Sequence, residues 1–314
     1  MRVLVTGASG FVGSRLVPAL QGQGHDVVAL VRDVERYDTP EGVEVVEGDL
    51  LNPPVELPPV DAAYYLVHSM GTGGDFQSRD RLAARTFVDS VEDAGVERVV
   101  YLGGLGDDRD ELSEHLRSRR EVEHILADGE FELTTLRAAI IVGEGSASFE
   151  LITQLADRLP VMVTPRWVRT ECQPIFVDDV IGYLVGVLGA PETAGETFEI
   201  GGPDVLTYQE MLERVAKLVT GRRPVILPIP VLSPGLSAGW LWLLTDVPLS
   251  VAKPLVAGLR NTVVVSDRRI DEFVDIDPTP FDEAIHRALG DRVVVQATPT
   301  PEIGRASCRE RVSF

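Results

Sequence analysis

Val3-Leu4-Val5-Thr6-Gly7-Ala8-Ser9-Gly10-Phe11-Val12-Gly13 opens this chain, and the order of its parts decides the fold. The apolar triplet predicts a short buried strand. Three glycines at three-residue spacing follow, then an amphipathic run as far as Gln23, then a second apolar stretch, Val27-Val28-Ala29-Leu30-Val31. Strand, glycine turn, helix and strand make half of a nucleotide-binding fold. Gly7 and Gly10 permit a tight turn with close backbone approach. A pyrophosphate can then rest on the helix N-terminus, where free N–H groups and the helix dipole favour negative charge. Gly13 lets the helix pack close to the sheet. The alternative is a glycine turn that binds nothing, and its placement between strand and helix argues against that.

The alternation continues. Strands are predicted at 43–46, 62–67, 98–102 and 131–141. A helix is predicted over 76–94, where Leu82, Ala83, Phe87, Val88 and Val91 recur at a helical period, and another over 113–127, capped by Ser113. Short apolar strands separated by helices imply a parallel sheet covered on both faces. Past Gly143 the pattern loosens into helices at 149–159 and 178–188, a strand at 197–200 and a capped helix at 207–219. The expected architecture is α/β, a Rossmann-type doubly wound parallel sheet with a smaller C-terminal substrate lobe. Residues 1–200 would form the dinucleotide-binding domain, and residues 201–301 the lobe, with pieces from 143–175. Residues 225–245 carry no charge and include Trp240 and Trp242. Their length suits a membrane span, but Pro228, Pro230 and Pro234 break the first half. A buried lobe helix or the wall of an apolar pocket is favoured over membrane contact. Residues 302–314 look foreign, because Glu302-Ile303-Gly304-Arg305-Ala306-Ser307-Cys308-Arg309-Glu310-Arg311-Val312 resembles a translated sequencing-adapter oligonucleotide; they are set aside as a non-native tail.

Composition narrows the function classes. The chain has 314 residues, and its 44% hydrophobic content supports a substantial core. It carries 49 acidic against 29 basic residues, a net charge of −20, which argues against nucleic acid as a partner. Lys217 and Lys253 are its only lysines. An acidic, lysine-poor surface suits high salt, where self-repulsion is screened; an ordinary acidic bacterial protein is the alternative. Cys172 and Cys308 make no disulfide framework and lack metal-ligand spacing, so no metal site is expected. No basic and apolar leader precedes the first strand, so the expected location is cytoplasmic, with a membrane-peripheral habit as the variant.

The Thr6-Gly-x-x-Gly-x-x-Gly pattern resembles the extended and atypical short-chain dehydrogenase/reductase (SDR) superfamily. The resemblance runs over residues 1–267, specific in the first half and loose in the second. Tyr64-Tyr65-Leu66-Val67-His68-Ser69-Met70 is similar to a subgroup that includes the NmrA-like and complex-I-subunit-like branches. It implies a nicotinamide dinucleotide held at Thr6, Gly7, Ser9, Gly10, Phe11, Val12 and Gly13. NAD-users usually place an acid at the end of the second strand, and NADP-users accommodate the 2′-phosphate with arginine. Here Val31 and Arg32 stand there, so NADP(H) is favoured over NAD(H). Asp33 leaves a ribose contact open, and Arg36 is a second phosphate candidate. Asp49, followed by Leu50, would accept from the adenine amino group or cap a turn. Val67 and His68 end the fourth strand where the nicotinamide-side ribose would pass; His68 is either a ligand contact or a polar strand end.

An ordinary SDR carries Tyr-x-x-x-Lys on the helix after the fifth strand. Here the equivalent stretch is His115-Leu116-Arg117-Ser118-Arg119, so His115 replaces the tyrosine and Arg119 the lysine. Gly103-Gly104 stands where the usual serine would be. His115 can serve as acid or base. Arg119 cannot be a base but can bind ribose or pyrophosphate. The bland alternative is an exposed histidine and a structural arginine. Tyr64, Tyr65, Tyr183 and Tyr208 lack a lysine at the right spacing. Arg137 matches a superfamily arginine and would orient the lobe or a substrate anion. Asp178 or Asp179 reads as an N-cap. The resemblance therefore implies an NADP(H)-dependent oxidoreductase acting on an apolar carbonyl or quinone-like substrate. The alternative is a non-catalytic redox sensor or an assembly factor of a membrane redox complex. A nucleotide-sugar epimerase fits the fold but not the apolar lobe.

Overall fold

The structure, a computed structural model, describes residues 1–68, 76–106, 112–229 and 257–290. In chain order its elements are β1 (Arg2–Thr6), α1 (Gly13–Gly22), β2 (Asp26–Val31), β3 (Glu44–Glu47), β4 (Ala62–Tyr65), α2 (Phe76–Asp93), β5 (Arg98–Gly104), α3 (Glu114–Ala127), β6 (Glu132–Ala138), β7 (Ile141–Val142), α4 (Ala147–Arg158), β8 (Val161–Pro165), β9 (Glu171–Cys172), β10 (Ile175–Phe176), α5 (Val177–Gly189), β11 (Thr197–Ile200), β12 (Leu206–Thr207), α6 (Tyr208–Thr220), β13 (Val225–Ile229) and α7 (Phe281–Leu289).

Seven strands form one sheet in the order β11-β6-β5-β4-β1-β2-β3, every neighbouring pair parallel. The order reverses between β1 and β4, and the crevice at their C-terminal ends is where a doubly wound sheet receives ligands. Val3, Leu4 and Val5 are fully buried, as a central parallel strand covered on both faces requires. On one face, α1 contributes Leu16, Val17 and Leu20, and α5 contributes Val180, Leu184 and Val187. On the other, Ala83, Phe87 and Val91 of α2 and Val122 and Leu126 of α3 pack against Tyr65 and Tyr101. A further core gathers Phe149 and Ile152 of α4, Met211, Leu212 and Val215 of α6, and Phe281 and Ile285 of α7. Its helix α6 starts on a capping box, Thr207 with Glu210, and stops at Gly221 in the left-handed region (φ 72°).

Several boundaries differ from the sequence reading. The strand expected over 131–141 divides into β6 and β7, because the chain leaves the main sheet after Ala138 and Ile141 pairs instead with Ile175 of β10. Phe176, not Asp178 or Asp179, is the N-cap of α5, and it caps without a side-chain bond. The two aspartates sit in the first turn, where their charge suits the helix dipole. Asp179 also accepts from the Thr279 N–H (2.8 Å) and hydroxyl (3.0 Å), which pins the segment before α7 to the main sheet's helix layer. In the charge-free segment, Val225–Ile229 is a strand paired in parallel with β8 rather than a helix, and Val225 and Leu227 are exposed. Residues 230–245 and the tail 302–314 lie outside the described residues. Among the described residues, no helix is long and apolar enough to cross a membrane.

Candidate functional site

The turn after β1 is built from its own backbone. Gly7 adopts φ 70°, and the Gly10 N–H donates to its carbonyl (2.9 Å). A Cβ on Gly13 would lie 2.2 Å from the Gly7 oxygen, so Gly13 allows α1 to start on top of the turn itself. The N-cap of α1, Val12, makes no side-chain bond. Among the described residues the N–H groups of Phe11, Val12 and Gly13 find no acceptor. Three such donors at a helix start fit a pyrophosphate.

This turn forms one end of a cavity of about 450 Å³. Gly7, Gly10, Phe11, Val12 and Gly13 line that end, and Leu66 and His68 enter from the end of β4. Gly103, Gly104 and Leu105 follow β5, while His115 and Arg119 project from α3. The far end is apolar: Ile152 and Leu155 of α4, Met162 and Val168, Leu212 of α6, Leu259 and Val263. The greasy wall thus comes largely from α4, β8 and α6; Val225, Ile226 and Leu227 do not line it. The volume falls within the usual range for small-molecule sites. Phe11 holds the two ends together. Its ring nests against Gly143, where a side chain would crowd it, and lies beside Gly145; Arg15 clamps the corner by donating to the Phe11 carbonyl and the Glu144 carbonyl (both 2.8 Å) while stacking over the Phe11 ring.

The structure brings His68, His115 and Arg119 together. The two imidazoles lie 5.0 Å apart, centre to centre. Arg119 donates to the Leu102 carbonyl (2.7 Å) and covers the Tyr101 ring, so its guanidinium is fixed at the cavity wall. His115 is not the exposed helix residue that the bland alternative allowed. Burial, then the neighbouring His68 and Arg119, push the His115 pKa down to about 3. Burial and Arg119 also lower His68, against an opposing pull from Asp80. Both rings are therefore neutral near pH 7.

Other expected contacts are occupied elsewhere. The Thr6 hydroxyl donates to the Tyr64 carbonyl (2.9 Å) and accepts from the Leu66 N–H (3.3 Å), tying β1 to β4. Leu50 is buried in the core beneath α2, and Val67 packs against the same core. Asp49 caps a turn, accepting from the Leu51 N–H (3.0 Å) and the Asn52 amide (2.6 Å). Asp33 accepts from the Glu35 N–H (3.1 Å) and pairs with Arg36 (3.1 Å). Arg32 is exposed beyond β2 and makes no hydrogen bond or ion pair among the described residues. Ser9 is exposed on the turn, outside the cavity lining. Arg137 is paired with Glu123, which takes both its Nε (3.1 Å) and a terminal nitrogen (2.5 Å), and also Arg120 (2.9 Å). Tyr64 and Tyr65 are core residues whose phenols burial pushes above their ordinary range.

Asp80 escapes the sequence reading. It is 2% exposed on α2, its carboxylate lies 3.3 Å from His68 Nδ1, and it accepts from the Ser118 hydroxyl (2.9 Å). A signal for it exists: Asp80, Ala83, Ala84, Phe87 and Val91 fall on one helical stripe, and an acid inside an apolar stripe needs a partner.

Fold and turn together define a nicotinamide-dinucleotide-binding protein of the doubly wound class. Residues 7–162 match the family model described as NAD(P)H-binding, and the N-terminal half of the chain belongs to that family. Similar proteins include the Arabidopsis thaliana mitochondrial "NADH dehydrogenase [ubiquinone] 1 alpha subcomplex subunit 9", 25% identical over 302 residues (88% of this chain, 73% of the relative). A "Ceramide reductase" from Caulobacter vibrioides is 29% identical over 248 residues, 76% of each chain. Among solved structures, the Citrobacter sp. triphenylmethane reductase complexed with NADP(H) superposes with a TM-score of 0.74, covering 92% of this chain and all (100%) of that one at 19% identity, a likeness of fold.

Proposed function

We propose that this protein is an NADPH-preferring reductase of a neutral, largely apolar carbonyl or quinone-like substrate. One observation carries the reading: a single cavity joins unpaired N–H groups at the start of α1 to an apolar lobe, with His68, His115 and Arg119 between them. When bound, the reduced dinucleotide supplies a hydride. The chain supplies the rest. Phe11, Val12 and Gly13 hold the pyrophosphate through their N–H groups. Arg32 meets the 2′-phosphate, since Asp33 is committed to its own turn and to Arg36. The apolar wall takes the body of the substrate and excludes water. Arg119, already fixed, places positive charge where the carbonyl oxygen gathers negative charge. His115 faces the same oxygen as a neutral imidazole, a donor or acceptor according to its tautomer. The triphenylmethane reductase with NADP(H) and the ceramide reductase support this reading by likeness.

Calorimetry with NADPH and NADH, followed by NADPH absorbance against a panel of quinones and enones, tests it. NADPH should bind roughly 10- to 100-fold more tightly than NADH, the worth of one charge-assisted phosphate pair, and Arg32→Ala should remove that margin. Equal affinities would remove the NADP preference, and tight binding without oxidation by any acceptor would remove the reductase. The second reading is a cofactor-loaded sensor or assembly factor. It is favoured by the replacement of the Tyr/Lys pair by His115 and Arg119, and by the likeness to a respiratory-complex subunit. On that reading Gly10→Asp abolishes every cellular phenotype while His115→Ala changes none.

A further inference from the structure

We infer that Asp80, His68 and His115 form a proton relay in which buried Asp80 is the positioning residue and His115 is the end that faces the substrate. Its role in a reaction rests on the reductase reading; its chemistry does not. Each member comes from a different place in the fold: Asp80 from α2, His68 from the end of β4, His115 from α3. The Asp80 carboxylate lies 3.3 Å from His68 Nδ1 and is steadied by the Ser118 hydroxyl at 2.9 Å. Among the described residues, His68 Nδ1, His68 Nε2 and His115 Nδ1 are buried and lack a well-formed hydrogen bond. Leaving three ring nitrogens buried and unpaired is costly. A ring spacing of 5.0 Å lets facing nitrogens reach hydrogen-bond range after a modest rotation. With Asp80 as a carboxylate, the only pairing that satisfies all three nitrogens with neutral rings runs in one direction. Asp80 accepts the His68 Nδ1 proton, His68 Nε2 is then a lone pair, and His115 Nδ1–H donates to it. His115 Nε2 is left as a lone pair on the cavity side.

The relay moves one proton and no electrons. A proton taken up from solvent at His115 Nε2 releases the Nδ1 proton of His115 to His68 Nε2. The charge then sits on His68, beside the carboxylate. In the reverse sense His68 returns the proton to His115 Nδ1, and the Nε2 proton passes to a carbonyl oxygen as that carbon receives a hydride from the reduced nicotinamide. Arg119 from α3 opposes charge on either ring, and the phenols of Tyr65 and Tyr101, raised by burial, stay neutral around Asp80. Asp80 is thus the group that offsets Arg119 and makes a transient imidazolium attainable.

The test is long-range 1H–15N correlation spectroscopy of histidine in the full chain, titrated with pH, with the two rings assigned by His68→Gln and His115→Gln. Wild type should show both rings protonated at Nδ1 near neutral pH, an observation that needs no charge variant. Asp80→Asn should abolish the Nδ1 preference of His68 and lower its midpoint by about one pH unit or more, the worth of a nearby opposite charge. Ser118→Ala, which keeps the carboxylate, should preserve the tautomer. An Nε2-protonated His68 in wild type, or a midpoint unmoved in Asp80→Asn, overturns the relay. These spectra require no substrate. A protein that reduces no carbonyl would sink the reductase reading, and the histidine tautomers would still decide the relay.

Discussion

Helix α3 anchors two neighbouring buried polar clusters, and only one of them lines the cavity. In the first, Glu123 is shared by Arg120 and Arg137, and Arg120 also donates to the Gly106 carbonyl (3.0 Å), so the carboxylate is matched by donors on both of its oxygens. In the second, Asp80 and Ser118 are bonded, and the imidazoles beside them, which lack a well-formed hydrogen bond among the described residues, open onto the cavity. A closed ion network holds strands and helices in place. An open one, next to a ligand cavity, is poised to exchange a proton. The difference separates Arg137, which the sequence offered as a site residue, from Asp80, which it did not.

The largest expected effect falls on the closed cluster. Glu123→Gln strips two guanidiniums of their shared carboxylate and should cost about 3–5 kcal/mol of stability, read from urea unfolding, with no change in the heat of cofactor binding. A loss below about 1 kcal/mol would erase the contrast, since that is the range of solvent-exposed pairs. Asp80→Asn should cost less, about 1–3 kcal/mol, while changing the pH profile of any kcat/KM. Ser118→Ala removes one neutral-to-charged hydrogen bond and should cost about 1–2 kcal/mol with the profile kept.

The smallest effect is a slope. His115 is held neutral in the fold, with its pKa near 3, whereas in the unfolded chain it protonates near its ordinary value of 6.5. Between those values the unfolded state binds the extra proton. Stability from this site is therefore whole above pH 6.5 and falls as the pH drops toward 3. His115→Gln should flatten the wild-type curve by up to one proton in that window, and parallel curves would show that the ring is solvated.

The main sheet was legible because its residues act locally. Val3 to Val5, the glycine turn and the stripes of α1 and α2 each betray their partner surface by period alone, and Ser113 and Thr207 announce helix starts that the structure bears out. The site was legible where backbone forms it and obscure where side chains meet from distant elements. His68 and His115 are 47 positions apart in the chain, and nothing in either segment states that they touch. Thr6 and Asp49 bond within the protein for a related reason: short polar side chains at strand ends satisfy nearby backbone. The lobe was least legible, since its strands are two to five residues long and pair across the chain.

Phe11 has a consequence for how occupants succeed each other. Its backbone belongs to the anion seat, its ring rests against the loop that begins α4, and Arg15 fastens both sides of that corner. Whatever settles on the seat presses on the doorway to the greasy chamber, and whatever fills the chamber presses back. The two occupancies are therefore expected to be coupled, each changing the other's affinity by the same factor.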